Sequence, residues 1–200
     1  MPSKSSLLDV LPCSLLKSCS DAFAPVIAKL ANLSMQTGKF SASYKRAQVL
    51  PLLKKAGLNS SSPGNYRPIS NLSTVSKILE RLVLTRLRPH LLGSANFSEY
   101  QSAYEKGHST EIALLEVLDG VYMAADNKQV TVLIGLDLSA AFDTVDHEIL
   151  LQRLQSEIGV TDTPLSWLRS YLEGRTQFVK LGQHQSPVVG LHTFYLVTSI

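Results

Sequence analysis

Val130-Thr131-Val132-Leu133-Ile134-Gly135-Leu136-Asp137 is the stretch on which the fold turns. It is a near-continuous apolar run rich in β-branched residues, with no polar alternation. Such a run predicts a central strand buried on both faces. It delivers a carboxylate, Asp137, at its end.

The segments around it predict a mixed architecture. Upstream, Val26, Ile27, Leu30 and Leu33 recur at helical spacing, and Gly38 is placed to end that helix. Ala47-Gln48-Val49-Leu50-Pro51-Leu52-Leu53 reads as a strand, with Pro51 arguing for a sheet edge. Lys54 and Lys55 follow, then a turn-rich stretch from Gly57 to Asn65, then a returning strand over Tyr66–Leu72. Together these predict a hairpin with a mobile tip. A strong helix is expected from Thr74 to Leu92, its stripe formed by Ile78, Leu79, Leu82, Val83, Leu87 and Leu91, with Pro89 kinking it or ending it early. Ser109 or Thr110 caps a helix reaching about Ala125, with Ile112, Leu115 and Val121 as buried candidates.

Beyond Asp137, Asp146 is placed to cap a short helix carrying Ile149, Leu150 and Leu154. Thr163-Pro164 reads as another helix start and Gly174 as its stop. Phe178–Leu181, a turn at Gly182 and Pro187–Val189 predict a last hairpin. Without regular βαβ alternation, the fold class expected is α+β.

The chain has 200 residues, of which 44% are hydrophobic and 18% charged, enough to build a core and too ordered in composition for bulk disorder. No apolar run approaches the length needed to span a bilayer, and no secretory signal is read at Met1–Ser6. Cys13 and Cys19 are the only cysteines, read as reduced thiols of an intracellular protein, nucleus and cytoplasm being left open. The net charge of +3 hides a split. Residues 1–79 carry ten Lys/Arg against Asp9 and Asp21, a balance of +8; residues 80–200 carry nine against fourteen acids, a balance of −5. Between Asp21 and Glu80 there is no acid, while Lys29, Lys39, Lys45, Arg46, Lys54, Lys55, Arg67 and Lys77 all fall there. A lobe that meets phosphates and a lobe that holds cations account for this split; so does a solvated basic face.

A carboxylate at the end of a buried strand is costly unless a cation pairs with it. Phosphoryl transfer offers such a cation, because Mg²⁺ binds carboxylate and phosphate oxygens in an octahedron. A capped, partly exposed aspartate at a strand end fits the same letters. The wider context resolves the choice. Leu136-Asp137-Leu138-Ser139-Ala140-Ala141-Phe142 resembles motif A of the reverse transcriptases of non-LTR (LINE-type) retrotransposons. Asn65-Tyr66-Arg67-Pro68-Ile69-Ser70-Asn71-Leu72 with Lys77-Ile78-Leu79-Glu80, and Gln101 through Thr110 with Lys106-Gly107-His108-Ser109-Thr110, resemble two further blocks of that family in the family's order. The similarity runs from about Leu11 to Gly190.

The resemblance implies the fingers and a partial palm of a right-hand polymerase, with an incomplete sheet. It divides the chain into a helical extension (1–40), a fingers-like region (41–128), a partial palm with motif A (129–190) and a divergent tail (191–200). It makes Asp137 the first catalytic metal ligand, with the Leu138 carbonyl as a further Mg²⁺ oxygen. Phe142 becomes the aromatic residue beneath the incoming sugar, though core packing also suits it. Lys54, Lys55 and Arg67 become nucleotide-facing groups, and Lys45, Arg46, Lys77 and Lys106 contacts to nucleic acid. Asp143 and Asp146 read as turn and cap residues and His147 as a first-turn residue. The implied partners are an RNA template, a DNA primer and dNTPs.

Two departures stand out. Ala103-Tyr104-Glu105 occupies the place of the family's Gly-Phe-Arg, so Glu105 reverses a phosphate-facing charge. After Gly190, neither the Pro-Gln-Gly nor the Ala-Asp-Asp motif appears within the 200 residues. The expectation is therefore a truncated fragment of an RNA-directed DNA polymerase, catalytically inactive as given. The alternatives are a non-catalytic nucleic-acid-binding remnant or a non-functional gene product.

Overall fold

A computed structural model describes residues 6–138 and 144–191. The chain divides into two units, Met1–His90 with Ala140–Ile200, and Leu91–Ser139.

In the first unit, Cys13–Ser18 (α1) leads into Ser20–Thr37 (α2), which ends where Gly38 turns left-handed at φ 63°. A Cβ on Gly38 would meet the Ser166 Cβ and the Thr163 carbonyl at 3.1 Å, so glycine serves both the turn and the close approach of the next layer. Arg46–Leu53 (β1) pairs antiparallel with Tyr66–Asn71 (β2). Thr74–Leu92 (α3) follows, its first amide capped in trans by Asp9: Thr74 N–H donates to Oδ1, and the Thr74 hydroxyl donates to Oδ2 at 2.9 Å. After Thr110–Asp126 (α4) of the second unit come His147–Ser156 (α5) and Asp162–Leu172 (α6) of the first. Thr176–Leu181 (β3), His184–Gln185 (β4) and Val189–Gly190 (β5) close the unit. The sheet order is β2-β1-β3-β4, with β5 on β3. β1 and β3 run parallel, from Arg46 opposite Thr176 to Val49 opposite Val179. The result is a mixed α and β domain with one open sheet, agreeing with the expected class.

The core joins α2, α3 and α6. Ala31, Phe40, Leu79 and Trp167 are buried together. Phe40 meets the Trp167 ring edge-on with centroids 5.4 Å apart, and Trp167 stacks on Tyr171 at 5.4 Å. A second cluster, Leu151 and Leu172, ties α5 to α6.

Several expectations need correction. β1 is not an edge strand, because β3 pairs with it over Arg46–Val49. Pro51 lies beyond that ladder, with only β2 beside it, and faces Pro68. Lys54 N–H donates to the Asn65 carbonyl at 2.9 Å. Counting back by twos from there makes Pro51 and Pro68 a pair that exchanges no ladder bonds, so neither proline costs one. α3 runs through Pro89 to Leu92 instead of ending early. α6 starts at Asp162 with Thr161 as its N-cap, not at Thr163. Val26 and Leu33 of α2 and Leu82 of α3 are exposed; the α2 face that packs carries Ala31 and Ser34. The hairpin tip makes hydrogen bonds of its own: the Tyr66 hydroxyl donates to the Ser60 carbonyl at 3.0 Å and the Asn65 amide to the Asn59 carbonyl at 2.9 Å.

The second unit holds the largest correction. Its helix, Thr110–Asp126 (α4), is capped by Ser109, whose Oγ accepts the Ile112 N–H at 3.2 Å, yet it buries no residue. Ile112 and Leu115, expected inside, are exposed, and Val121 is half-buried. Val130–Asp137 forms no strand, and Val130 and Leu136 are 93% and 91% exposed. A strand covered on both faces exists only when neighbouring strands take its N–H and C=O groups and other layers take its side chains. Among the described residues no strand ladder reaches this segment.

Candidate nucleic-acid interface

Lys54, Lys55 and Arg67 of the β1–β2 hairpin face solvent. Register puts Leu52 opposite Arg67 and Leu50 opposite Ile69, and all four are exposed. Directly opposed residues share a face of a sheet. The hairpin therefore presents an apolar ledge of Leu50, Leu52 and Ile69 with a guanidinium at its border. Arg67 is legible in the sequence as a basic residue, whereas the ledge shows only as poor alternation of polar letters across both strands. Lys55 is exposed at the end of β1. Lys54 is exposed too, and its ammonium donates to the Gly64 carbonyl at 2.8 Å, fastening the tip. One of its three donors is thus spent within the loop.

The other basic candidates differ in setting. Arg46 lies over the Phe178 ring, 4.7 Å from its centroid. Lys77 donates to Asn71 Oδ1 at 2.8 Å, bracing the end of β2 against the start of α3. Lys45 is half-buried, and burial together with the nearby Arg175 charge lowers its ammonium pKa. Lys106 is exposed in the second unit. Asp137 and Leu138 are exposed there as well, at the end of the unpaired segment. Phe142 and Asp143 lie outside the described residues. Asp146 caps α5 as expected, accepting the Ile149 N–H at 3.0 Å, and His147 opens that helix.

Behind the sheet sits a buried polar cluster that the sequence did not announce. Arg175, 5% exposed, lies over the Tyr171 ring at 4.0 Å and donates from Nε to the Tyr171 carbonyl at 2.8 Å. Its Nη2 is 3.8 Å from Glu80 Oε1, which also accepts the Tyr171 hydroxyl at 2.9 Å and the Ser76 hydroxyl at 3.3 Å. The cluster links α3, α6 and the entry to β3, and so holds the sheet that carries the hairpin. Burial raises the Glu80 carboxyl above its ordinary range, against the opposing pull of Tyr171, Arg175, Ser76 and Lys77. Burial, with Glu80 beside it, likewise raises the Tyr171 phenol.

A carboxyl raised on folding binds its proton more tightly in the native state than in the unfolded chain. Its contribution to stability is full below the unfolded value and is lost as pH rises through the folded one. Glu80→Gln removes that dependence. The expected result is that wild-type stability relative to Glu80→Gln declines as pH rises from about 4 towards neutrality. Urea midpoints across that range measure it, and parallel profiles for the two proteins would refute it.

Comparison with known proteins places these features in a family. Residues 53–191 match the family model described as reverse transcriptase (RNA-dependent DNA polymerase). A probable RNA-directed DNA polymerase from transposon BS of Drosophila melanogaster is 30% identical over 155 residues, 78% of this chain and 17% of that protein. The X-element polymerase of the same organism is 32% identical over 127 residues, 64% of this chain and 14% of its own length. The RNA-directed DNA polymerase from its mobile element jockey is 28% identical over 182 residues, 90% of this chain and 19% of its own length. The chain thus spans less than a fifth of each of these relatives. The family match covers the tip and second strand of the hairpin, with Arg67, and the segment with Asp137, and the chain belongs to the reverse transcriptases of non-LTR retrotransposons.

Proposed function

We propose that this chain forms the fingers and the opening of the palm of a right-hand polymerase, and that its β1–β2 hairpin meets the phosphates of RNA template, DNA primer and incoming dNTP. The observation that carries the reading is the exposed hairpin face of Leu50, Leu52, Arg67 and Ile69, of which Arg67 and Ile69 on β2 lie inside the region matched to the family. Arg67 supplies a planar fork of donors suited to bidentate phosphate contact. Leu52 and Ile69 supply an apolar shelf for a sugar or base, and Lys55 adds a mobile point charge. Lys54 holds the tip that positions them. Lys45, Arg46, Lys77 and Lys106 extend the phosphate contacts. Asp137 is the first metal-binding carboxylate, assisted by the Leu138 carbonyl, and Phe142 is the residue that reads the sugar.

Divalent metal serves reverse transcriptases generally. Here the donors do not fit a two-ion site: among the described residues no group of three or more His, Cys, Asp or Glu gathers, and Asp137 stands on an exposed segment. The reading for the 200-residue polypeptide is therefore binding and positioning without polymerisation. No helix among the described residues is long and apolar enough to cross a membrane.

Binding carried by phosphate contacts is sequence-tolerant and falls steeply with salt. Arg67→Ala combined with Lys54→Ala and Lys55→Ala is expected to flatten the slope of log K against log salt by about two. Fluorescence anisotropy with a labelled single-stranded RNA measures the slope. An unchanged slope in the triple variant would move the interface elsewhere.

A further inference from the structure

We propose that Ser62, at the tip of the β1–β2 hairpin, is a phosphoacceptor for a proline-directed protein kinase, and that its phosphate turns down nucleic-acid binding by the hairpin. The second half rests on the function proposed above; the first stands on Ser62 alone.

Three Ser/Thr-Pro pairs occur in the sequence: Ser62-Pro63, Thr163-Pro164 and Ser186-Pro187. A kinase that selects proline after the acceptor takes an extended backbone with a hydroxyl free to enter its site. Proline itself biases the preceding residue towards that conformation. Thr163 is excluded because it lies within helix α6 and packs against Gly38. Ser186 is excluded because its hydroxyl is committed, accepting the Val179 N–H and donating to the Pro187 carbonyl, both at 2.9 Å. Ser62 meets both requirements. Its backbone is extended at φ −96° and ψ 114°, and its side chain makes no capping bond to the turn that follows. Among the described residues its hydroxyl has no hydrogen-bond partner. Ser62 itself is half-buried, and Ser60, Ser61, Pro63 and Gly64 around it are all exposed.

The loop presents this serine in one shape. The Ser62 N–H donates to the Asn59 carbonyl at 3.3 Å, and the Ser62 carbonyl accepts the Asn65 N–H at 3.1 Å. Both bonds use backbone atoms, so they persist after the side chain is modified. The γ-phosphorus of a nucleoside triphosphate forms a bond to Ser62 Oγ while its bond to the β–γ bridging oxygen breaks. The nucleoside diphosphate leaves, and the hydroxyl proton passes to the kinase's base. The product carries close to two negative charges at neutral pH. They arise two residues from Gly64, whose carbonyl holds the Lys54 ammonium. No acidic side chain lies between Asp21 and Glu80 to have repelled anions before. The new charge offsets the basic groups that attract nucleic-acid phosphate.

The test incubates the full 200-residue protein with a purified proline-directed kinase and ATP, and maps phosphate by mass spectrometry. One phosphate on Ser62 is expected, lost in Ser62→Ala and in Pro63→Ala and retained in Thr163→Ala and Ser186→Ala. No incorporation, or incorporation at Thr163 or Ser186 in place of Ser62, overturns the site. The phosphorylated and unmodified proteins are then titrated onto labelled single-stranded RNA. Affinity about tenfold weaker at low salt, converging at high salt, is expected of the phosphoprotein. Equal affinities at low salt overturn the regulatory half. An unmodified protein that binds no RNA, yet is labelled at Ser62, overturns the proposed function and leaves the site standing.

Discussion

Incubated with an RNA template, an annealed DNA primer, dNTPs and either Mg²⁺ or Mn²⁺, the 200-residue polypeptide is expected to leave the primer at its starting length. Two-metal phosphoryl transfer needs several oxygens fixed around both ions, and positioning with charge stabilisation supplies nearly all of the rate. Asp137 brings one carboxylate on an exposed segment. No two aspartates are adjacent anywhere in the 200 residues, so the family's paired acids are not among them. Asp146 is already spent on the Ile149 N–H as a helix cap. Mg²⁺ sheds water reluctantly, and a lone carboxylate holds it loosely. Asp137→Ala is therefore expected to behave as the parent does. Primer extension above background that disappears in Asp137→Ala would overturn this, by showing that other groups complete the metal site.

Trp167→Ala is expected to cost about 3–5 kcal/mol, a large part of the stability of a domain this size. Trp167 is the protein's one tryptophan and is 4% exposed. It stacks on Tyr171, meets Phe40 edge-on, and donates from Nε1 to Ser34 Oγ at 2.9 Å. Ser34 Oγ in turn donates to the Lys39 carbonyl at 2.6 Å, which joins the packing of α6 to the turn that ends α2. Removing the indole leaves a cavity and strips a buried hydroxyl of its donor. Urea unfolding followed by far-UV circular dichroism checks the loss, with Trp167→Phe expected to retain more than half of the difference. A midpoint for Trp167→Ala within error of the wild type would mean that α6 does not anchor this core.

The sequence by itself determined most of the helices and the family. The apolar spacing and breakers that predict α3 over Thr74–Leu92 are the ones the structure uses, because a stripe such as Leu79, Val83 and Leu87 needs only a helical period to be recognised. Asp146, Ser109 and Gly38 were legible for the same reason: capping chemistry acts within a few residues of itself. Arg67 and the lysines of the hairpin could be named, since a run of basic residues without acids needs no fold to be seen. Tertiary structure decided what pairs and what is covered. Pro51 argued for an edge, but the parallel partner β3 joins β1 over Arg46–Val49 from a segment more than a hundred residues away, and stops short of the proline. Arg175 and Glu80 carry no local signal, because their meeting depends on α3 and α6 packing through Tyr171. Val130–Asp137 shows the limit most plainly. Its letters specify a strand fit for a buried place, and burial is supplied by other strands and layers rather than by the run itself.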